Sequence, residues 1–341
     1  MAFGQALKVT LLGTGNPRPS IERFGPSILV EAGKETLLFD CGRGATIRLA
    51  QAKVPFSSVT ALFLTHLHSD HVVGIPDLWL SGWIMGRQAP LQVWGPAGTT
   101  DMLKHLEEAY AFDVHVRRDV DEQLSAQGAV LTGKDIDEGV VYENDGVKVT
   151  AFRVDHGLVK PALGYRIDYQ GHSVVLSGDT RPSDNLVKFA QGTDLLVHEV
   201  FDPEAYREIS NSMTPEQRKR VAEHHTTPEE AGRIFARVAP KLAVYSHIVP
   251  PDVPDVVPHT SQDLFWSVGS RRRFDDHRDW RAGSRTASGT LRASRDSLGP
   301  RINYRRLSAS NSSSVRGQSE PNKRDRLRSA STLPPVWQRA Q

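Results

Sequence analysis

An apolar run over residues 60–65 ends directly in Thr65-His66-Leu67-His68-Ser69-Asp70-His71. Three imidazoles and a carboxylate within six residues serve no packing purpose. They stand where a strand empties into a loop, which is where α/β proteins present reactive groups. Histidine nitrogen and aspartate oxygen together suit a borderline or hard divalent ion. A chain with this segment must fold so that a strand end opens on a metal pocket. Other strand ends must converge there, because one short loop cannot complete a site for two ions.

Three further residues hold the same kind of position. His156 follows the apolar run 147–154, Asp179 follows 172–177, and His247 follows 241–246. Taken alone, each reads equally well as a turn residue or a helix cap. Four strand ends carrying ligand-type side chains in one chain are much harder to assign to turns.

The rest of the first 258 residues fits a compact α/β domain. Short apolar runs at 7–12, 27–32, 36–40, 60–65, 91–94, 147–154, 163–169, 172–177, 194–200 and 241–246 predict buried strands. Helical patterns lie at 44–52, 99–110 and 227–238. The last opens on Thr227 as N-cap, Pro228 at the first helical position and Glu230 two residues further on. Gly13-Thr14-Gly15 is a tight turn and not a nucleotide fingerprint, since no helical pattern begins there. Trp79, Trp83 and Trp94 read as core or pocket wall. Cys41 reads as a packed thiol, and Asp40 either steadies a metal-binding imidazole or caps a turn.

The single cysteine excludes a disulfide framework and any multi-cysteine zinc module. No apolar run is long enough to span a bilayer, and the start of the chain has no signal-peptide pattern. A cytoplasmic location is expected.

Charge separates the chain into two parts. The net charge of +2 is the sum of +10 over residues 261–341, which hold 16 Arg and one Lys, and −8 over the 260 residues before them. The body is therefore mildly acidic, and its charge does not mark a nucleic-acid binder. Residues 259–341 are rich in Ser, Arg and Gly and lack apolar periodicity, so a disordered low-complexity tail is expected. Abundant arginine with a single lysine is the texture of a shifted reading frame in a GC-rich gene, or of an RNA-contacting tail.

The set His66, His68, Asp70, His71, His156, Asp179 and His247 resembles that of the metallo-β-lactamase superfamily. The resemblance covers about residues 7–250 and implies an αββα sandwich. It also implies two Zn²⁺ per chain, with Mn²⁺ as the alternative ion. His66, His68 and His156 would hold one metal, Asp70, His71 and His247 the other, and Asp179 would bridge them. Two such ions acidify a water and take up charge on a scissile phosphoryl or acyl group. Asp70 is then the natural acceptor for the water's proton.

Within the superfamily the chain is similar to ribonuclease Z and its phosphodiesterase relatives. The likeness rests on Gly13-Thr14-Gly15, Pro19 to Arg23, Phe39-Asp40-Cys41-Gly42, His156-Gly157 with Gly164-Tyr165-Arg166, His198-Glu199, and His225-Thr226-Thr227. It implies endonuclease action on pre-tRNA 3′ ends and a homodimer. Glu199 and His225 would form a proton-donating pair for a poorly leaving RNA 3′-oxygen, with the carboxylate raising the imidazole's protonation. His198 and His224 read as supporting or surface histidines.

One departure counts against tRNA. The family's Lys-rich arm normally follows the Gly-Tyr-Arg strand, and here residues 164–171 run straight into the next strand. The alternative is a hydrolase of small esters, arylsulfatase-like, lactonase-like or acting on cyclic phosphodiesters. A third reading, an RNA-binding protein with a vestigial metal site, conflicts with the complete ligand set.

Overall fold

The computed structural model describes residues 7–250, together with the backbone of residues 268–269 and 280–281. The expected tail at 259–341 otherwise lies outside the described residues. The chain runs through β1 Lys8–Gly13, β2 Ser27–Ala32, β3 Glu35–Phe39, α1 Ala45–Gln51, a 3₁₀ turn Phe56–Ser58, β4 Ala61–Phe63, α2 Ser69–Val72, α3 Ile75–Ile84 and β5 Leu91–Gly95. It continues with α4 Thr99–Ala109, α5 Ala111–His115 with a π turn after it, β6 Leu131–Asp135, β7 Gly139–Asn144, β8 Val147–His156, β9 Val159–Tyr169 and β10 His172–Leu176. Then follow α6 Asp184–Ala190, β11 Leu195–Phe201, α7 Pro203–Ile209, α8 Pro215–Ala222, α9 Pro228–Val238 and β12 Leu242–Val249, with β13 Val268–Gly269 and β14 Trp280–Arg281 beyond.

The strands form two mixed sheets, ordered β14-β1-β2-β3-β4-β5-β6 and β13-β12-β11-β10-β9-β8-β7. The central strands β2, β3, β4, β10 and β11 are buried on both faces, which is why they read as continuous apolar runs. Side chains alternate across a strand. Leu37, Phe39, Ala61 and Phe63 point inward and meet Val149, Leu163, Tyr165 and Val197 of the second sheet. Leu38, Leu62 and Leu64 point outward against Leu49, Leu78 and Trp79. On the far side, Val175, Leu196 and Ala243 meet Leu186, Ile234 and Phe235 of α6 and α9. These three apolar layers make the αββα sandwich expected from the sequence.

Aromatic rings lock the inter-sheet layer. Phe63 stacks on Phe39 at 5.0 Å and meets Tyr165 edge-on at 5.7 Å. Each such fully buried ring contributes about 1.5–3 kcal/mol. Buried Glu35 ties the sheets at one end by accepting from Tyr142 Oη at 2.6 Å and Asn144 Nδ2 at 2.8 Å. Helix α9 starts as its sequence predicts, with a full capping box between Thr227 and Glu230. The β9–β10 connection is a tight hairpin: Tyr169 pairs with His172, leaving only Gln170 and Gly171 between them. No described helix is long and apolar enough to cross a membrane.

Candidate metal centre

The strand β4 is short, and the chain leaves it under control of its neighbours. The Leu64 N–H bonds the Trp94 carbonyl at 2.7 Å, and the Thr65 N–H bonds Asp40 Oδ1 at 2.8 Å. Residues 66–71 then turn over the end of the inter-sheet layer, where α2 begins with Asp70 in its first turn. His66, Asp70 and His71 are buried and His68 is exposed. His156 ends β8. Asp179 follows β10 after Gly178, which turns the chain at φ +60°. His247 lies in β12 with φ +43°, in the left-handed region that side chains avoid. Asp40 shares that conformation at φ +56°. Such strain gathers where a side chain must be aimed.

All seven sequence-predicted ligands meet at one point. Asp179 Oδ2 lies 3.8 Å from His66 Nε2, 3.5 Å from His71 Nε2, 3.8 Å from His156 Nε2 and 3.2 Å from His247 Nε2. Asp70 Oδ2 lies 3.3 Å from His247 Nε2 and 3.6 Å from His71 Nε2. His68 Nδ1 stands 3.0 Å from His66 Nε2 and 3.4 Å from His156 Nε2. Among the described residues four overlapping donor groups result: His66, His68, His156 and Asp179; Asp70, His71 and His247; Asp179, His225 and His247; and His156, His224 and His225. The first two together hold all seven residues expected from the sequence.

The outer nitrogens are held. His71 Nδ1 donates to Asp40 Oδ2 at 2.8 Å, His156 Nδ1 donates to the His224 carbonyl at 2.9 Å, and His66 Nδ1 meets Thr65 Oγ1 at 3.0 Å. Partners of this kind fix the ring orientation of metal-binding histidines. Asp40 and Thr65 thus support the site together. The strand-end Asp40 could be read from sequence; the carbonyl of His224 could not, because a backbone group leaves no mark there.

Electrostatics favour a cation at this point. Burial and the neighbouring imidazoles hold His66 well below its ordinary value, and burial brings His156 down to about 4, so both are neutral donors. Burial opposes charge on His71, yet Asp179 and Asp40 raise it well above the usual imidazole value. Burial likewise opposes charge on Asp179, yet His247 and His71 hold it well below the carboxylate range. Two buried carboxylates therefore draw positive charge onto the rings around them. Asp179 Oδ1 and His71 Nε2 are buried with no hydrogen-bond partner among the described residues. Nitrogen and oxygen donors, orphaned buried atoms and excess negative charge all fit a divalent metal.

Beside the ligands, His225 Nδ1 lies 3.0 Å from each carboxylate oxygen of Glu199. The Thr180 N–H bonds Glu199 Oε1 at 2.7 Å. The sequence reading has the carboxylate raise the imidazole; burial works the other way and pushes His225 down to about 4. It also pushes Glu199 up, reinforced by Asp179. Both directions favour a pair with no net charge, holding one transferable proton between them. His198 is fully buried and His224 half-buried beside His156 and His225. Cys41 is a buried thiol, and Trp79 and Trp83 are core.

The loop after β1 packs against the same site. A methyl group added at Gly25 would lie 3.2 Å from the Asp70 carbonyl and 2.6 Å from the Arg43 nitrogen, so only glycine fits. Arg18, Arg23 and Arg43 line an open pocket of about 200 Å³ on this loop.

A family profile described as Beta-lactamase superfamily domain matches residues 35–248. The chain is 39% identical over 271 residues to the ribonuclease Z of Mycobacterium sp. (strain KMS), spanning 79% of this chain and 91% of that protein. To the ribonuclease Z of Mycolicibacterium paratuberculosis it is 39% identical over 272 residues, spanning 79% and 93%. Among solved structures, the metallo-beta-lactamase fold protein YhfI from Bacillus subtilis superposes with TM-score 0.62 at 19% identity, over 81% of this chain and 100% of that one. Human tRNase Z, short form, superposes with TM-score 0.55 at 24% identity, over 71% and 92%. These two likenesses are of fold.

Proposed function

The chain belongs to the β-lactamase superfamily, in its ribonuclease Z branch, and from that premise we propose that it is a binuclear zinc phosphodiesterase cutting RNA near tRNA 3′ ends. That it is a metal-dependent hydrolase follows from the family. The observation that carries the finer reading is Asp179 Oδ2, which sits between the Nε2 atoms of four histidines at 3.2–3.8 Å. A carboxylate surrounded in this way suits a bridge. His66, His68 and His156 would hold one ion, Asp70, His71 and His247 the other, and Asp179 would serve both. Mn²⁺ suits the same donors.

Bound there, a divalent pair supplies an acidified water and takes up charge on the phosphoryl oxygens. The chain's own residues do the rest. Asp70 receives or orients the proton of the attacking water. Glu199 and His225 deliver a proton to the leaving 3′-oxygen, which departs poorly as an alkoxide. Thr180 holds the Glu199 carboxylate from the backbone. Arg18 of the loop after β1 and Arg43 of the turn between β3 and α1, both exposed in the pocket that Gly25 also lines, are placed to meet substrate phosphates.

The two-residue β9–β10 hairpin supports a second reading, hydrolysis of small esters or small phosphodiesters, because it leaves no arm to grip a tRNA. A parallel assay separates the two. The substrates are a pre-tRNA with a 3′ trailer, bis(p-nitrophenyl) phosphate, an aryl sulfate and a lactone, each with Zn²⁺ or Mn²⁺. Turnover of the phosphodiesters but not of the sulfate or lactone is expected. Preferential turnover of the sulfate or lactone overturns the phosphodiesterase reading.

A further inference from the structure

The strand that carries Glu199 outruns its neighbour. β10 ends at Leu176, and its last ladder contact to β11 is the Ser177 N–H on the Val197 carbonyl at 2.9 Å. The chain then turns at Gly178 to deliver Asp179. β11 continues to Phe201, so the peptide of Glu199 faces a gap where β10 would have run. A buried peptide group without a partner costs about as much as a lost hydrogen bond.

Two side chains fill that gap. The Glu199 N–H donates to Ser177 Oγ at 3.0 Å, and His198 Nδ1 lies 2.7 Å from the Glu199 carbonyl. A carbonyl oxygen only accepts, so the ring proton is on Nδ1. His198 is 0% exposed, its ring packs edge-on against Phe235 at 5.8 Å, and its Nε2 has no hydrogen-bond partner among the described residues. Burial pushes the ring down to about 4, so it is neutral with a single proton. This is a donor with one use, and the group it serves is the peptide that carries the Glu199 side chain.

We propose that His198 is a positioning residue: its Nδ1–H replaces the strand neighbour lost where β10 turns away, and so fixes the Glu199 peptide with the carboxylate against His225. The inference rests on reading Glu199 and His225 as the proton-donating pair. It explains why a histidine precedes this glutamate although its ring never reaches the metal site. Turning β10 aside brings Asp179 to the metals but opens the ladder beside Glu199; His198 and Ser177 close it.

The test uses three variants of the full chain. His198→Asn keeps an N–H near the place of Nδ1, His198→Gln offers one only near Nε2, and His198→Leu offers none. Rates are measured on a 3′-extended RNA and on bis(p-nitrophenyl) phosphate, together with metal content and the NMR signal of the His225 Nδ1 proton. The Asn variant should stay within roughly 3-fold of the parent on RNA. The Gln and Leu variants should lose roughly 10–10²-fold in kcat with KM unchanged, far less on the nitrophenyl ester, with metal retained. The His225 signal should move in those two and persist in the Asn variant. Equal behaviour of all three, or equal losses on both substrates, overturns the proposal. Glu199→Gln is the control. If it fails to separate the two substrates, the acid reading falls and takes this inference with it. If it separates them and the His198 variants do not, the positioning role alone falls.

Discussion

His225 Nδ1 stands 3.0 Å from both oxygens of the Glu199 carboxylate, and both residues are buried. An imidazole nitrogen balanced between two carboxyl oxygens suits a pair with no net charge that shares one transferable proton. Neither residue belongs to the seven proposed ligands. Replacing His225 by Ala should therefore leave metal content intact and slow an RNA substrate by roughly 10²–10⁴-fold. A p-nitrophenolate leaves without a proton, so bis(p-nitrophenyl) phosphate should be affected far less. The contrast between substrates is the measurement, because misfolding depresses both alike. Equal losses with metal bound remove the acid role.

Among the described residues, Asp179 is the one carboxylate within 4 Å of histidines from both proposed ligand sets. If it serves two ions, Asp179→Ala should lose most of the metal, about two ions per chain in the parent. Asp70→Ala, which touches only the second group, should lose about one. Elemental analysis after gel filtration reads both. An Asp179→Ala protein that keeps the parental stoichiometry refutes the bridge.

The candidate ligands and most strands are legible in the sequence for a physical reason. Strands buried on both faces appear as continuous apolar runs, so the residue that ends each run marks a site position. His66, His156, Asp179 and His247 were found that way. β6 and β7 were not, because Leu131–Asp135 and Gly139–Asn144 lie toward one edge, partly exposed, and carry Lys, Asp, Glu and Asn. The short helices α7 and α8 bury no side chain fully, so no apolar stripe announces them. For Glu199 and His225, adjacency suggests a charged imidazole, but complete burial, invisible in sequence, disfavours the charged form.

Asp194 offers a pH test of stability away from the metals. It is 4% exposed, accepts from the Ser173 N–H at 2.9 Å and pairs with Lys241. Burial opposes its charge, yet Lys241 and that N–H hold it below the usual carboxylate value. Its folded value is thus lower than its unfolded value of about 3.9. The stability it adds is present above the unfolded value and lost as pH falls through the folded one. Asp194→Asn should lower the urea midpoint at pH 7, by about 1–3 kcal/mol of stability, and the two proteins should converge as pH drops below about 4. Parallel curves over that range contradict the assignment.

The missing arm makes a prediction about salt. Each phosphate contact on a single strand adds about −0.7 to the slope of log affinity against log salt. With the β9–β10 hairpin reduced to two residues and a body charge of −8, the cations proposed to meet substrate phosphates are the exposed Arg18 and Arg43 of the pocket at Gly25. Two contacts give a slope of about −1.4, shallow for an enzyme that holds a whole tRNA. Arg18→Ala should reduce it by about 0.7 and raise KM for RNA, while leaving bis(p-nitrophenyl) phosphate, which has a single phosphate, nearly unchanged. Small phosphodiesters should then compete with pre-tRNA at physiological salt. A slope steeper than about −5 would mean many more phosphates are gripped than this loop can reach. Efficient tRNA cleavage that resists salt would refute the small-substrate preference, because it requires contacts that neither the hairpin nor the arginine pocket supplies.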